Sequence, residues 1–475
     1  MRRSEKLAFL GGYHAFPGGK MDPPDAEVEV ANCVEVERAA AISCGARELF
    51  EETGVLLARG VETLTKGQRA SLLDDLESGR MSWPALLRHY DLRLDADDFT
   101  FVGRWVTPPF SAKRFDTWFF LANCPRKQDA SVTGDAELES GEWVFAREAA
   151  ACWERAEVLL VPPVLHALRT LAAGLTDETV TRFLSSPNAH GEPTREIEFL
   201  PNYICFPVRT PTRPPATHTN CYLIYSSGEL LIIDPGSPYA EEQTALAASI
   251  DNLLAAGRTV REIVLTHLHP DHVGGVNALR NHLGGDVTVA AHQLTAEALG
   301  PDILVNRLIV DDEVITLAGT PEIGLRAMHT PGHARGHLCF YEARTGTLIT
   351  GDNVVGLGSV LIDPPEGNVR DYLNSLQRMR ALPHLGVLFG GHGPAMANPE
   401  AKLDEYITHR LEREQNILAA VRAGCVTPAE MVARVYTDVS PKAYGLAERA
   451  VLAHLEKLQD DGLVIRDSQD NYAAA

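Results

Sequence analysis

The sequence predicts an α/β chain of several domains, and three observations carry that prediction. From about residue 196 to 400, short apolar runs alternate with helical segments, each run ending in turn or polar residues: YLIYS, GELLIIDPGS, EIVLTH, VTVAAH, LITGDN and VLFGGHGP. Such alternation builds layered sheets and helices. Beyond residue 400, apolar positions recur at helical spacing in DEYITHRLEREQNILAAV, TPAEMVARVY and LAERAVLAHLEKLQDDG, followed by a short strand pair, GLVIRD and NYAAA. Finally, 475 residues exceed what one core of about 150 residues serves.

Taken in order, residues 1 to 175 mix helical patches with aromatic strand-like runs, Phe115 to Ala122 (FDTWFFLA) and Glu142 to Phe145 (EWVF), and read as an α/β unit. The stretch 176 to 215 turns polar and proline-rich, with SSPNAHGEP and RTPTRPP, which suits a connector. Domains are therefore expected at 1–190, 191–408 and 409–475.

Composition narrows the function classes. Acidic residues number 64 against 43 basic, a net charge of −21, so any nucleic-acid contact needs a local basic patch. Eight cysteines, Cys33, Cys44, Cys124, Cys152, Cys205, Cys221, Cys339 and Cys425, are scattered without a CxxC pair and read as reduced thiols of a cytoplasmic protein. No apolar run reaches the roughly 18 residues a membrane span requires.

The strongest motif is THLHPDHVGG, Thr266 to Gly275, after the apolar run EIVLT. A chain leaving a strand end directs His267 and His269 to one side while the turn brings Asp271 and His272 beside them, a nitrogen and carboxylate donor set for adjacent divalent ions. A solvated polar loop is the bland alternative, which HxHxDH between an apolar run and two glycines disfavours. Three further loops end on a donor each: His333 in HTPGH, Asp352 after LITG and His392 in LFGGHGP. One metal would take His267, His269 and His333, the other Asp271, His272 and His392, with Asp352 bridging. His329 and His337 read as structural or supporting histidines, His218 as shaping a strand entry, and His384 and His454 as surface or packing residues.

This ordered set, with HTNCYLI and LIIDPGS upstream, resembles the metallo-β-lactamase superfamily over about 200 residues. The resemblance implies an αββα sandwich with the site at the strand edge and carries the ligand roles onto those seven residues. Zinc is the expected metal. A water held by two cations ionises near neutral pH, its pKa falling far below that of bulk water to about 7. Asp271 is the candidate for orienting that water and handling its proton.

A second motif pairs FPGGKMDPPD (16 to 25) with RELFEETGVLL (47 to 57). A helix over 41 to 53 would bury Ile42, Ala46, Leu49 and Thr53 on one face and set Glu48, Glu51 and Glu52 on another. Carboxylates that close repel by a few tenths of a kcal/mol per pair unless a cation such as Mg²⁺ lies among them. For EExG alone a solvated acidic face is the better reading, and the preceding PGG and RELF reverse that preference. The residues resemble the Nudix hydrolase box, G-x5-E-x7-REUxEExGU, with departures: Asp25 stands for its first Glu, and 21 residues separate Asp25 from Arg47 where the box has seven. AFPGGKMD, RWVTPPFSAKRFDTWFFLA and RELFEETG together resemble the coenzyme A diphosphatase-like branch. That resemblance, over about 1 to 175, implies Mg²⁺ or Mn²⁺ on Glu48, Glu51 and Glu52, catalysis by Glu51 and Glu52, a bracing Arg47 and a further carboxylate from 135 to 142, with Glu139 one of several equal candidates. The first strand of that fold is expected to be short or absent.

Residues 427 to 475 resemble a winged helix, but Arg434, Lys442, Arg449, Lys457 and Arg466 face eight acids, and the candidate recognition helix ends in Gln459, Asp460 and Asp461. Packing on the metal domain or homodimer formation is favoured over nucleic-acid binding. The tail and HRLEREQNIL also resemble the lactamase-β-like endoribonuclease group, which implies single-stranded RNA as a less favoured substrate, whereas similar fungal polyketide enzymes cleave acyl carrier thioesters. The expected protein is a two-headed hydrolase: a metal centre acting on an ester, thioester or phosphodiester, and a diphosphate-cleaving module. A small molecule such as a nucleotide or an acyl-coenzyme A is the expected partner. A first domain that binds nucleotide without cleaving it, to regulate the metal site, is the alternative.

Overall fold

The computed structural model of the 475-residue chain describes every residue except 8, 9, 109, 110, 112, 133–136 and 438. Parts of the RWVTPPFSAKRFDTWFFLA segment and the start of the 135–142 acidic stretch therefore lie outside the described residues. The chain forms two compact units, Met1–Pro109 with Lys113–Pro201, and Asn202–Ala475.

In the first unit, helix α1 runs Val36–Thr53 and stops at Gly54, whose positive φ of 70° lets its N–H close on the Phe50 carbonyl. Ile42, Ala46 and Thr53 are buried as the spacing predicts, but Leu49 is only half-buried and Phe50 takes the core position. The buried sector is centred nearer Ser43 and Phe50, because the Trp83 indole donates to the Ser43 hydroxyl at 3.1 Å and draws that side of the helix inward. Phe50 packs with Leu56, Leu72, Trp83, Leu86, Leu94 and Phe99; helices α2 (Lys66–Glu77) and α3 (Trp83–His89) supply three of them. Strands β1 (Thr100–Val106) and β2 (Asp116–Leu121) pair antiparallel, so FDTWFFLA forms the expected strand. EWVF does not. Residues 141–145 take no regular structure, and Trp143 and Phe145 are 70% and 77% exposed, because aromatic propensity holds extended backbone only where a neighbour completes the ladder. Arg2–Arg3 instead pairs with Leu138–Ser140. Helices α4 (Ala146–Glu154) and α5 (Pro162–Ala172) pack through Trp153, Val164, Leu165 and Leu168.

The second unit holds two sheets. Strands β3 (Tyr203–Arg209), β4 (His218–Tyr225), β5 (Glu229–Ile233), β6 (Thr259–Val264), β7 (Val289–His292) and β8 (Arg307–Ile309) lie in chain order across the first. β3 to β5 are antiparallel and β5 to β8 parallel. Strands β9 (Val314–Leu317), β10 (Ile323–His329), β11 (Leu338–Glu342), β12 (Thr347–Gly351) and β13 (Val387–Gly390) form the second, antiparallel until the final parallel pair. Helices α6 (Ala240–Ala255) and α7 (Val276–His282) cover the first sheet through Leu246, Ile250, Val276 and Leu279. After the short α8 (Gln293–Leu299), α9 (Val369–Arg380) covers the second through Tyr372, Leu376 and Met379. Phe389 of β13 meets Tyr203 and Tyr222 at ring distances of 6.0 and 5.5 Å, closing a helix–sheet–sheet–helix sandwich of the expected layering.

Helix α10 (Pro399–Arg422) leads into α11 (Pro428–Val435), α12 (Tyr444–Asp460) and the antiparallel strands β14 (Val464–Arg466) and β15 (Tyr472–Ala474). The Thr427 hydroxyl and the Glu430 side chain form a capping box that starts α11. Ile417, Met431, Val432, Val451, Leu455 and Tyr472 give this helix–helix–wing module its own core. No helix among the described residues is long and apolar enough to cross a membrane.

Candidate metal centre

All four donor-bearing loops leave strand ends on one edge of the sandwich. Beyond β6, His269 sits at the N-cap of a single helical turn, Pro270–Val273, which carries Asp271 and His272. Gly236 passes so close to this turn that a side chain there would overlap the Asp271 carbonyl. His333 follows Gly332, whose φ of 134° and tight approach to Tyr372 exclude a Cβ. Asp352 and His392 follow the last residues of β12 and β13.

The seven residues meet. Ring nitrogens of His267, His269 and His333 all lie within 4.8 Å of one another, as do donor atoms of Asp271, His272 and His392. Asp352 reaches both sets: Oδ1 is 3.3 Å from Nε2 of His272 and of His392, and Oδ2 is 3.7 Å from Nε2 of His333. A third cluster adds Asp234 to His267 and His272, but the Asp234 carboxylate is occupied by the Thr266 N–H, the Thr266 hydroxyl and Nδ1 of His272 at 2.6 to 2.8 Å. Thr266 is also 2.9 Å from Nδ1 of His267. Nδ1 of His333 donates to the Leu361 carbonyl and Nδ1 of His392 to the His218 carbonyl, at 2.9 and 2.8 Å. Each of these bonds leaves Nε2 directed at the cluster and fixes the ring.

Electrostatics divide the residues. Burial, then the neighbouring His272, pushes His267 well below the usual imidazole range, and burial takes His333 down to about 4. For His272 burial works the same way but is outweighed by Asp352, Asp271 and Asp234, which raise it well above that range. Burial would raise Asp352, yet His392 and His272 hold it well below the usual carboxylate range. His267 and His333 thus stand as neutral imidazoles beside the ionised Asp352, and the carboxylates that hold a proton on His272 supply the negative charge that a divalent ion would take in that proton's place. Nε2 of His267, Nε2 of His272 and Oδ1 of Asp352 are buried without a hydrogen-bond partner. An orphaned buried polar atom costs about 1–3 kcal/mol, so this arrangement fits cations among them.

Sequence reasoning missed Asp234 and Thr266. The signal was an Asp closing LIID immediately before a Pro-Gly turn. His337, fully buried, contacts the Thr330 hydroxyl and accepts the Asp352 N–H at 3.0 and 3.2 Å, a supporting position.

In the first unit, Glu48, Glu51 and Glu52 are divided between partners. Arg47 makes two 2.9 Å bonds to the fully buried Asp25 and pairs with Glu48 at 2.9 Å and Glu51 at 2.7 Å. Glu52 accepts the Gly18 N–H at 2.8 Å. Burial raises Glu48 and Glu51 despite the guanidinium beside them. Glu139 is engaged by Arg2 at 3.1 Å.

The metallo-beta-lactamase superfamily pattern matches residues 214–392, and that of the beta-lactamase associated winged helix domain matches 427–472. A beta-lactamase-like protein 2 homolog of Caenorhabditis elegans is 30% identical over 251 residues, 52% of this chain and 80% of that protein. An atrochrysone carboxyl ACP thioesterase of Aspergillus chevalieri is 31% identical over 242 residues, 47% of this chain and 71% of that protein. A beta-lactamase domain protein of Burkholderia ambifaria shares the fold, with a TM-score of 0.51 at 22% identity over 61% of this chain and 96% of that one. Sandwich, strand-edge histidines and the span shared with these relatives together make this chain a member of the metallo-beta-lactamase superfamily, with that family's associated winged helix at its C-terminal end.

Proposed function

We propose that the second unit, a metallo-β-lactamase-fold hydrolase, cleaves a thioester of an acyl carrier or of coenzyme A at a two-cation site, zinc in this reading. The observation that carries it is Asp352, whose two oxygens face separate donor sets. Bound ions supply an acidified water and positive charge for a developing oxyanion. His267, His269 and His333 would hold one, Asp271, His272 and His392 the other. Asp271, approached by the Thr219 hydroxyl at 3.4 Å, orients the water and takes its proton as the water oxygen bonds to the acyl carbon. The carbon–sulfur bond then breaks and the thiolate leaves with that proton. The thioesterase name of the Aspergillus relative supports a thioester. Single-stranded RNA is disfavoured by the winged helix, where Arg449, Lys457 and Arg466 are each paired with a carboxylate. Zinc-loaded full chain should turn over acyl carrier and acyl-coenzyme A thioesters, and Asp271→Ala should be slower by about 100-fold or more. RNA cleavage without thioester turnover would sink this reading.

For the first unit we propose a Nudix-like diphosphate hydrolase using Mg²⁺ or Mn²⁺ at Glu48, Glu51 and Glu52. Its support is the loop over α1: Gly19 lies so near Glu48 that a Cβ would overlap the carboxyl, and Arg47 ties Asp25 to Glu51. A partly buried excess of carboxylates around one guanidinium favours a cation. With Mg²⁺, coenzyme A or a nucleoside diphosphate derivative should yield phosphate esters, and Glu51→Gln or Glu52→Gln should abolish that release. Binding without release would leave a nucleotide-sensing regulator instead.

A further inference from the structure

Residues 360 to 368 cross between His333 and the C-terminal helices as a strap. On its inner side it touches the segment Gly332 to Arg335 at three points astride the histidine. The Asn368 N–H donates to the Gly332 carbonyl at 2.8 Å, the Leu361 carbonyl accepts Nδ1–H of His333 at 2.9 Å, and the Glu366 carboxylate accepts the Arg335 N–H at 2.8 Å. The strap closes on itself where the Gly367 N–H meets the Asp363 carbonyl at 2.7 Å. Val360 and Ile362 are buried, so the chain cannot slide without losing core packing.

Two arginines hold its outer side. Arg410 of α10, buried, donates to the Val360 carbonyl and lies 5.2 Å from the Tyr372 ring centre. Tyr372 in turn donates to the Asn353 carbonyl at 2.6 Å, one residue beyond Asp352. Arg449 of α12 takes the Asp363 carboxylate with Nε at 2.5 Å and the Pro364 carbonyl with Nη2. Neither arginine touches the donor cluster, and both lie beyond residue 392, where the superfamily match ends. A guanidinium can hold two acceptors in fixed geometry, which an ammonium cannot.

We infer that Arg410 and Arg449 are positioning residues for His333: through the strap, the winged-helix module sets the orientation of one imidazole and so the affinity of the ion it holds. The inference rests on the two-cation reading above. The module is then a working part of the hydrolase centre.

Zinc affinity of the full chain, measured by competition with a chromophoric chelator, tests this. Removing the direct partner of a ligand costs about 10–100-fold in metal affinity. Arg449 acts one contact further out, so Arg449→Ala should weaken one of two ions about three- to tenfold and leave the other within about twofold. Arg449→Lys should restore part of the loss, and Arg466→Ala, on the wing, should change neither ion. In a His333→Ala background Arg449→Ala should add nothing, because both act on the same imidazole. Parental affinity for both ions in Arg449→Ala, equal weakening of both, or additive losses with His333→Ala would overturn the inference while leaving the metal site standing. A parent chain that takes up no ions overturns both.

Discussion

A methyl group on Gly391 would overlap Oδ1 of Asp352 and come within 2.8 Å of Cε1 of His272. Backbone φ is not what demands glycine there; the two side chains occupy the space. Gly391→Ala should therefore keep the fold, read by circular dichroism, yet bind the ion at Asp271, His272 and His392 at least about tenfold more weakly, read by chelator competition. Unchanged affinity would mean that Asp352 does not need its observed position. The sequence made the seven candidate donors visible because four share one short motif beyond a strand and the other three each lie in a turn just after a strand. Asp234 lies 38 residues from the His272 ring it fixes, and no local spacing displays such a partner. Leu361 acts through its carbonyl, a group every residue possesses, so its role leaves no trace in residue type.

Between α10 and α12, His454 is 1% exposed, with Nδ1 3.7 Å from Glu414, itself bonded to Lys457. Burial lowers the pKa of His454 below 6.5, against the pull of Glu414 and with Arg410 and Lys457 opposing a further positive charge. The unfolded chain takes up this proton near pH 6.5 and the folded one only at lower pH, so the stabilisation is complete above about 6.5 and is lost as pH falls below it. His454→Leu should flatten that part of the decline, measured as the difference between parent and variant thermal midpoints from pH 7.5 to 5.5. Parallel profiles would count against it. Elements also show where pattern reading stops. The helical period located α1 but not the rotation that buries Phe50 in place of Leu49, since Trp83 reaches Ser43 across 40 residues. In EWVF the aromatic run was legible and the absent strand neighbour was not.

Across the whole molecule, layering was legible because parallel strands buried on both faces read as unbroken apolar runs, as in LLII of β5, and because beyond residue 400 those short runs give way to apolar positions at helical spacing. A net charge of −21 placed nucleic acid low among partners, and the ion pairs of the winged-helix basic residues point the same way.

The three donor clusters among the described residues contain nitrogen and oxygen but no sulfur, although the chain has eight cysteines, all of them free. Peroxide releases zinc from thiolate sites by converting the sulfur to sulfenic acid or disulfide. Imidazole and carboxylate offer peroxide no such group, so the centre should stay loaded under oxidative stress that empties cysteine-bound zinc elsewhere in a cell. Soft ions such as Cu(I) likewise find no preferred ligand in it.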